Sequence, residues 1–317
     1  MPVNSTPQDS SSESTPGGVF AAALTPLNPD LSINRAALVG HCRWLLENGC
    51  DGLAVLGTTG EANSFSVEER IDVLDTVIAG GVPADTLIPG TGCCSIPDTV
   101  ALTRHAVESG AAGVLMLPPF YYKGVSDDGL FAAYSEVIDR VGDDRLRVYL
   151  YHFPQMSATP ISYDLIERLL TRYPGVIAGM KDSSGDYANM AGAAKRFPGF
   201  GVLSGSDEFL SPLLRDGGVG CITAVANIAG NLAADVYAAW RSNDGTAMDA
   251  AQQKLNAVRE AACAYPLSAG LKDIMAGHTG DKSWRTVRPP LVALDAAQSA
   301  GLAARLEATG HILPPLG

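Results

Sequence analysis

From Gly17 onward, short apolar runs alternate with longer amphipathic stretches. The runs are VFAAAL (19–24), GLAVLG (52–57), TLIPG (86–90), GVLMLP (113–118), RVYLYHF (147–153), VIAGMK (176–181), GVLSG (201–205) and CITAVA (221–226). The stretches between them carry helical spacing. Leu38, Cys42, Leu45 and Leu46 recur at steps of three and four, and Leu165, Leu169 and Leu170 do likewise. Continuous apolar strands alternating with helices predict a parallel sheet covered on both faces. Eight such units fit a closed α/β barrel, the (β/α)8 or TIM type, better than an open sheet. No run leads into a GxGxxG turn, which disfavours a dinucleotide fold. The expected organisation is a barrel over 17–229, with its last helix and a helical appendage over 230–317. Residues 1–16 (MPVNSTPQDSSSESTP) have almost nothing to bury and are expected to form a disordered tail.

Composition narrows the function classes. A chain of 317 residues with 46% hydrophobic positions can bury a large core, and barrels of about 250 residues routinely form one unit. The net charge of −12 repels phosphate backbones, so nucleic acid is not an expected partner. No apolar run reaches membrane-spanning length and no signal peptide is evident, so neither a membrane nor export is expected. The six cysteines show no metal-knuckle spacing and read as reduced, mostly buried thiols in a cytoplasmic protein. The five histidines are scattered, so neither a metal nor a cofactor is expected.

Chemistry in such a barrel belongs at the C-terminal ends of the strands. Six lysines are present, and five (Lys123, Lys195, Lys254, Lys272, Lys282) lie in loops or polar helical stretches where solvated ammonium groups are expected. Lys181 alone follows an apolar strand run. Burial there disfavours the charged ammonium, and a neutral amine in a dry pocket is the nucleophile that imine chemistry with a ketone requires. The alternatives are a lysine snorkelling from the barrel mouth or paired with Asp182. Tyr151, at the end of the neighbouring run, is suitably placed to shuttle protons, unless it merely packs. Thr58 and Thr59, flanked by glycines after the second run, offer N–H and hydroxyl donors to a carboxylate, unless they simply cap a βα loop.

Together these features resemble the dihydrodipicolinate synthase / N-acetylneuraminate lyase superfamily of class I pyruvate aldolases and lyases. The likeness runs from Gly17 to about Leu294: Ala23-Leu24-Thr25-Pro26, Gly57-Thr58-Thr59-Gly60-Glu61, Tyr121-Tyr122, Tyr151-x-x-Pro154, Lys181-Asp182-Ser183-Ser184-Gly185, Gly205-Ser206-Asp207-Glu208 and Arg288-Pro289-Pro290-Leu291. The resemblance implies that Lys181 forms a Schiff base with the 2-oxo carbon of pyruvate. Tyr151 would then be the general acid/base, linked through Thr58 to Tyr122 of a neighbouring subunit. Thr58 and Thr59 would hold the pyruvyl carboxylate, and Gly205 and Ile222 would lend backbone groups. It further implies a homotetramer built as a dimer of dimers.

Two departures bear on the substrate. Synthases that condense pyruvate with aspartate semialdehyde carry an arginine five residues after the strand-end tyrosine, and here that position is Met156. A thioether cannot make the bidentate contact of a guanidinium, and Arg172 could substitute only from a distance. His152 stands where asparagine is usual. Asp207-Glu208 match the acidic pair that binds sugar hydroxyls in the sialic-acid branch, although both also suit a helix N-terminus. The expected activity is therefore cleavage or formation of the carbon–carbon bond between pyruvate and an aldehyde, on a 2-keto-3-deoxy sugar acid or a 4-hydroxy-2-oxo acid. The alternatives are the synthase itself, a dehydratase or deaminase working through the same imine, and a non-catalytic 2-oxo acid binder.

Overall fold

The computed structural model describes residues 17–316; the tail expected over 1–16 lies outside them. Strands β1 (Gly18–Ala21), β2 (Gly52–Leu53), β3 (Val114–Met116), β4 (Val148–His152), β5 (Ile177–Asp182), β6 (Gly201–Ser204) and β7 (Gly220–Thr223) form one sheet. Every pair is parallel, in the order β2-β1-β7-β6-β5-β4-β3.

The apolar run at 86–90, expected as a strand, is instead an extended segment joined by single bridges, Leu53 to Leu87 and Gly90 to Leu115. Its backbone still bonds both ways: Ile88 N–H donates to Leu53 O at 2.9 Å, and Leu115 N–H donates to Pro89 O at 2.9 Å. Pro89 has no N–H to give, which breaks the ladder without opening the wall. The segment therefore lies between β2 and β3 and closes the barrel. The inner apolar cluster confirms closure, because every one of the eight runs contributes to it: Phe20 and Ala22, Ala54, Ile88, Leu115, Tyr149 and Tyr151, Ala178, Leu203 and Ile222.

Helices cover the outside. They are α1 (Arg35–Glu47), α2 (Val67–Ala79), α3 (Ile96–Glu108), α4 (Asp127–Val141), α5 (Pro154–Ser157), α6 (Tyr163–Arg172), α7 (Tyr187–Arg196), α8 (Leu210–Arg215) and α9 (Ala226–Arg241). Their starts are written locally. Ser66 and Glu69 form a capping box on α2, and Ser95, Ser126, Ser162 and Asp186 cap α3, α4, α6 and α7. The appendage consists of α10 (Gly245–Ala262), α11 (Leu267–Thr279) and α12 (Ala296–Ala308). Helix α9 is interrupted at Ala229, whose φ of −140° and ψ of 30° are non-helical, beside the expected division at 229/230.

Asn227, wholly buried at the start of α9, ties the barrel seam together. Its Nδ2 donates to Ala22 O and Ala224 O, while its Oδ1 accepts from Leu24 N–H and faces His41 Nε2 at 2.9 Å. The cysteines are unpaired thiols: Cys42, Cys50 and Cys221 are buried, whereas Cys94 and Cys263 are exposed. Among the described residues, no helix is long and apolar enough to cross a membrane.

Candidate active site

Register brings the key side chains together. Tyr151 on β4 pairs directly with Lys181 on β5. The pairing depends on a one-residue shift: Val148 sits opposite Ile177, but Tyr149 sits opposite Gly179. Without that shift Tyr151 would face Met180, and Lys181 would face His152. As built, Lys181 and Tyr151 are each 4% exposed, and the Lys181 Nζ lies 4.5 Å from the centre of the Tyr151 ring. Phe153 stacks behind the same ring at 5.8 Å.

Both alternatives for Lys181 fail on geometry. A snorkelling amine would be exposed. An ion pair with Asp182 is not formed: successive residues of β5 point to opposite faces, and the carboxylate turns to Ser184 N–H at 2.8 Å and Asn189 Nδ2 at 2.7 Å. The Tyr151 hydroxyl meets Thr58 Oγ1 at 3.3 Å, on the same tyrosine whose ring lies against the amine. Among the described residues, no N–H of loop 57–60 has an acceptor within the chain, so the loop can receive an anion. Thr58 and Thr59 are both half-buried there. A cavity of about 20 Å³ opens beside Thr58 and Tyr151, lined also by Leu56, Asn63, Arg70 and Leu117.

The other expected residues divide. Gly205 abuts the end of β5: its N–H donates to Asp182 O at 2.7 Å, and a Cβ there would meet Ser183 Oγ at 2.0 Å. Ile222 belongs to the inner cluster. Tyr122 is 73% exposed on the loop after β3, edge-on to Tyr121, and does not reach Tyr151 within its own chain.

His152 is not brought to the amine. It follows Tyr151 on an alternating strand and so points outward, where Nδ1 accepts from Ile161 N–H at 3.0 Å. Burial lowers its pKa, opposed by the nearby Asp182 carboxylate. Asp207 is also turned away. It is buried beside Thr223 and Arg259, and burial pushes its carboxyl up. Glu208 pairs with Arg259 at 2.9 Å.

Met156 stands 59% exposed on the barrel rim, where the synthase arginine is expected. Arg172 ends α6 at the opposite face, beside Asp139 and the Tyr173 ring.

One expectation is overturned. Lys272 is not a solvated lysine: its ammonium and the Glu61 carboxylate form an ion pair with both side chains fully buried. Burial pulls the Lys272 pKa below its ordinary value. The signal was present in the sequence. Ala269, Met275 and Ala276, at three back and three and four ahead, share the buried face of α11 with it. Arg70, buried with its guanidinium on Gly90 O and the Cys93 sulfur, was likewise missed.

Comparison with known proteins agrees with this geometry. Residues 15–309 match the dihydrodipicolinate synthetase family. An uncharacterized DapA-like lyase of Chloroflexus aurantiacus is 35% identical over 92% of this chain and 96% of its own length. The crystal structure of dihydrodipicolinate synthase from Agrobacterium tumefaciens superposes with a TM-score of 0.85 at 30% identity, covering 93% of this chain and 100% of that one. YagE of Escherichia coli K12, a prophage protein of the same family solved with pyruvate, gives 0.85 at 27% identity over 93% and 98%. The chain belongs to the dihydrodipicolinate synthetase family, whose members are class I pyruvate-dependent lyases.

Proposed function

We propose that this enzyme splits, or in reverse forms, the C3–C4 bond of a 4-hydroxy-2-oxo acid, a class that includes 2-keto-3-deoxy sugar acids, through an imine on Lys181. The observation that carries the reading is the buried Lys181 amine against Tyr151, whose hydroxyl meets Thr58. The Lys181 Nζ attacks C2, and Tyr151 delivers the proton with which the carbinolamine oxygen leaves as water. A base then takes the proton of the C4 hydroxyl. The C3–C4 electron pair moves into the iminium, giving an enamine and the free aldehyde. Protonation at C3 and hydrolysis of the imine release pyruvate and restore the lysine. Thr58, Thr59 and the free N–H groups of their loop hold the carboxylate throughout.

Met156 supports this reading over the synthase, because it leaves the rim without the guanidinium that would grip a semialdehyde carboxylate. The synthase remains the second reading, favoured by the similarity to the Agrobacterium enzyme. A homotetramer of two dimers, in which Tyr122 completes the partner's site, and a cytoplasmic location belong to the same proposal.

The test has two parts. Borohydride with pyruvate should add a stable mass to the peptide carrying Lys181, and Lys181→Ala should abolish it. A panel of 2-keto-3-deoxy sugar acids should then release pyruvate, whereas aspartate semialdehyde should not be condensed. Turnover of the semialdehyde at the rate of an established synthase would reverse the assignment.

A further inference from the structure

The loop that presents Thr58 and Thr59 is held in an unfavourable shape. Leu56 at its start has φ 58° and Glu61 at its end has φ 60°. Both are left-handed conformations that residues with side chains adopt only when the surroundings enforce them. Inside the loop, Glu61 N–H donates to Thr58 O at 3.1 Å and Ala62 N–H to Gly57 O at 3.2 Å. From the barrel, Thr25 Oγ1 donates to Gly60 O at 2.9 Å.

The remaining restraint comes from outside the barrel. Glu61 Oε1 accepts from the Lys272 ammonium of α11, which also donates to Thr286 O at 2.9 Å. Glu61 Oε2 accepts from Arg288 N–H at 2.9 Å. The Arg288 side chain then binds Ser64 O and both oxygens of Glu69, and lies over the Phe65 ring at 4.2 Å. Two fully buried opposite charges often add no stability over apolar residues of the same size, and such a pair can instead hold a particular geometry. Here that geometry is the left-handed turn at Glu61, three residues from the hydroxyl that meets Tyr151.

We propose that Glu61 and Lys272 are positioning residues, through which helix α11 of the appendage sets the Thr58 hydroxyl against Tyr151 and so governs proton transfer at the imine. The pair touches no substrate atom; it acts through the loop. This rests on the imine reading given above. It assigns the appendage a part in the chemistry rather than in stability alone.

The probe is pyruvate. Formation of the enamine from the imine exchanges the pyruvate methyl protons with deuterated solvent, which NMR follows, and borohydride trapping reports the imine separately. The double variant Glu61→Gln/Lys272→Met removes both charges together and leaves no lone buried ion. It should fold, as judged by near-ultraviolet circular dichroism, and still trap pyruvate on Lys181. Its exchange should fall by about tenfold or more, the scale of a damaged acid–base step, with the pH profile of Thr58→Val. Should it not fold, Glu61→Gln alone keeps one acceptor oxygen for Lys272, loses the one that serves Arg288 N–H, and should show the same change in pH profile. A folded variant that exchanges at the wild-type rate and with the wild-type profile would overturn the proposal. Wild-type protein that neither traps nor exchanges would instead refute the imine reading beneath it.

Discussion

Two buried side chains carry separable predictions at the scale of the residue. Tyr151 lies between the Lys181 amine and Thr58, so Tyr151→Phe removes one hydroxyl while keeping the ring that packs on the amine. Turnover should fall by about 10²–10⁴, the usual worth of a positioned acid/base, with pyruvate affinity changed far less. Steady-state kinetics would show the effect in kcat rather than KM. His41 tests stability instead. Asn227 Nδ2 is committed to two carbonyls, so its Oδ1 must accept, and His41 Nε2 must donate. Burial pulls the imidazole from its ordinary 6.5 to about 4. The unfolded chain therefore binds the extra proton first. The stability linked to this group is complete above about pH 6.5 and is lost as pH falls toward 4, by up to about 3 kcal/mol. His41→Gln keeps the donated bond without titrating. Urea midpoints of wild type and variant should converge as the pH is lowered over that window, and parallel curves would refute the assignment.

Between elements, the decisive contact is the shifted pairing of β4 and β5, which turns Lys181 toward Tyr151. Gly179 sits at the shift. A Cβ there would meet Gly201 O at 2.2 Å and Tyr149 Cδ1 at 3.0 Å. Gly179→Ala should therefore cost about 1–3 kcal/mol of stability and also weaken imine trapping, because the strand that carries the lysine must move. Thermal melts and borohydride trapping together would check it, and trapping at wild-type efficiency would separate register from chemistry. Such a shift is invisible to periodicity, which explains why the strands were legible as apolar runs while their register was not. Loop 57–60 was legible because glycines flanking two threonines report a backbone with donors to spare. His152 and Asp207 were misplaced for the opposite reason. Residue order places a group near a strand end, but only strand alternation and the packing of the loop after β6 decide whether it faces inward. Lys272 was missed because its charge outweighed its place on the buried stripe of α11.

For the whole molecule, Tyr122 poses the remaining question, since a residue expected in the relay stands 73% exposed and edge-on to an equally exposed Tyr121. Large apolar surface at a loop tip is costly in an isolated chain, and its burial against a second copy would satisfy both rings at once. In a two-fold dimer each site would take Lys181 from one subunit and Tyr122 from the other. Lys181→Ala and Tyr122→Phe should then each be strongly impaired alone. Mixed by unfolding and refolding at equal amounts, they should regain about a quarter of wild-type turnover, because half of the dimers are mixed and each mixed dimer holds one intact site. The measurement is activity against mixing ratio, with sedimentation velocity confirming that the oligomer reforms. Activity that only sums the two separate variants, in oligomers shown to be mixed, would mean that Tyr122 does not complete the partner's site.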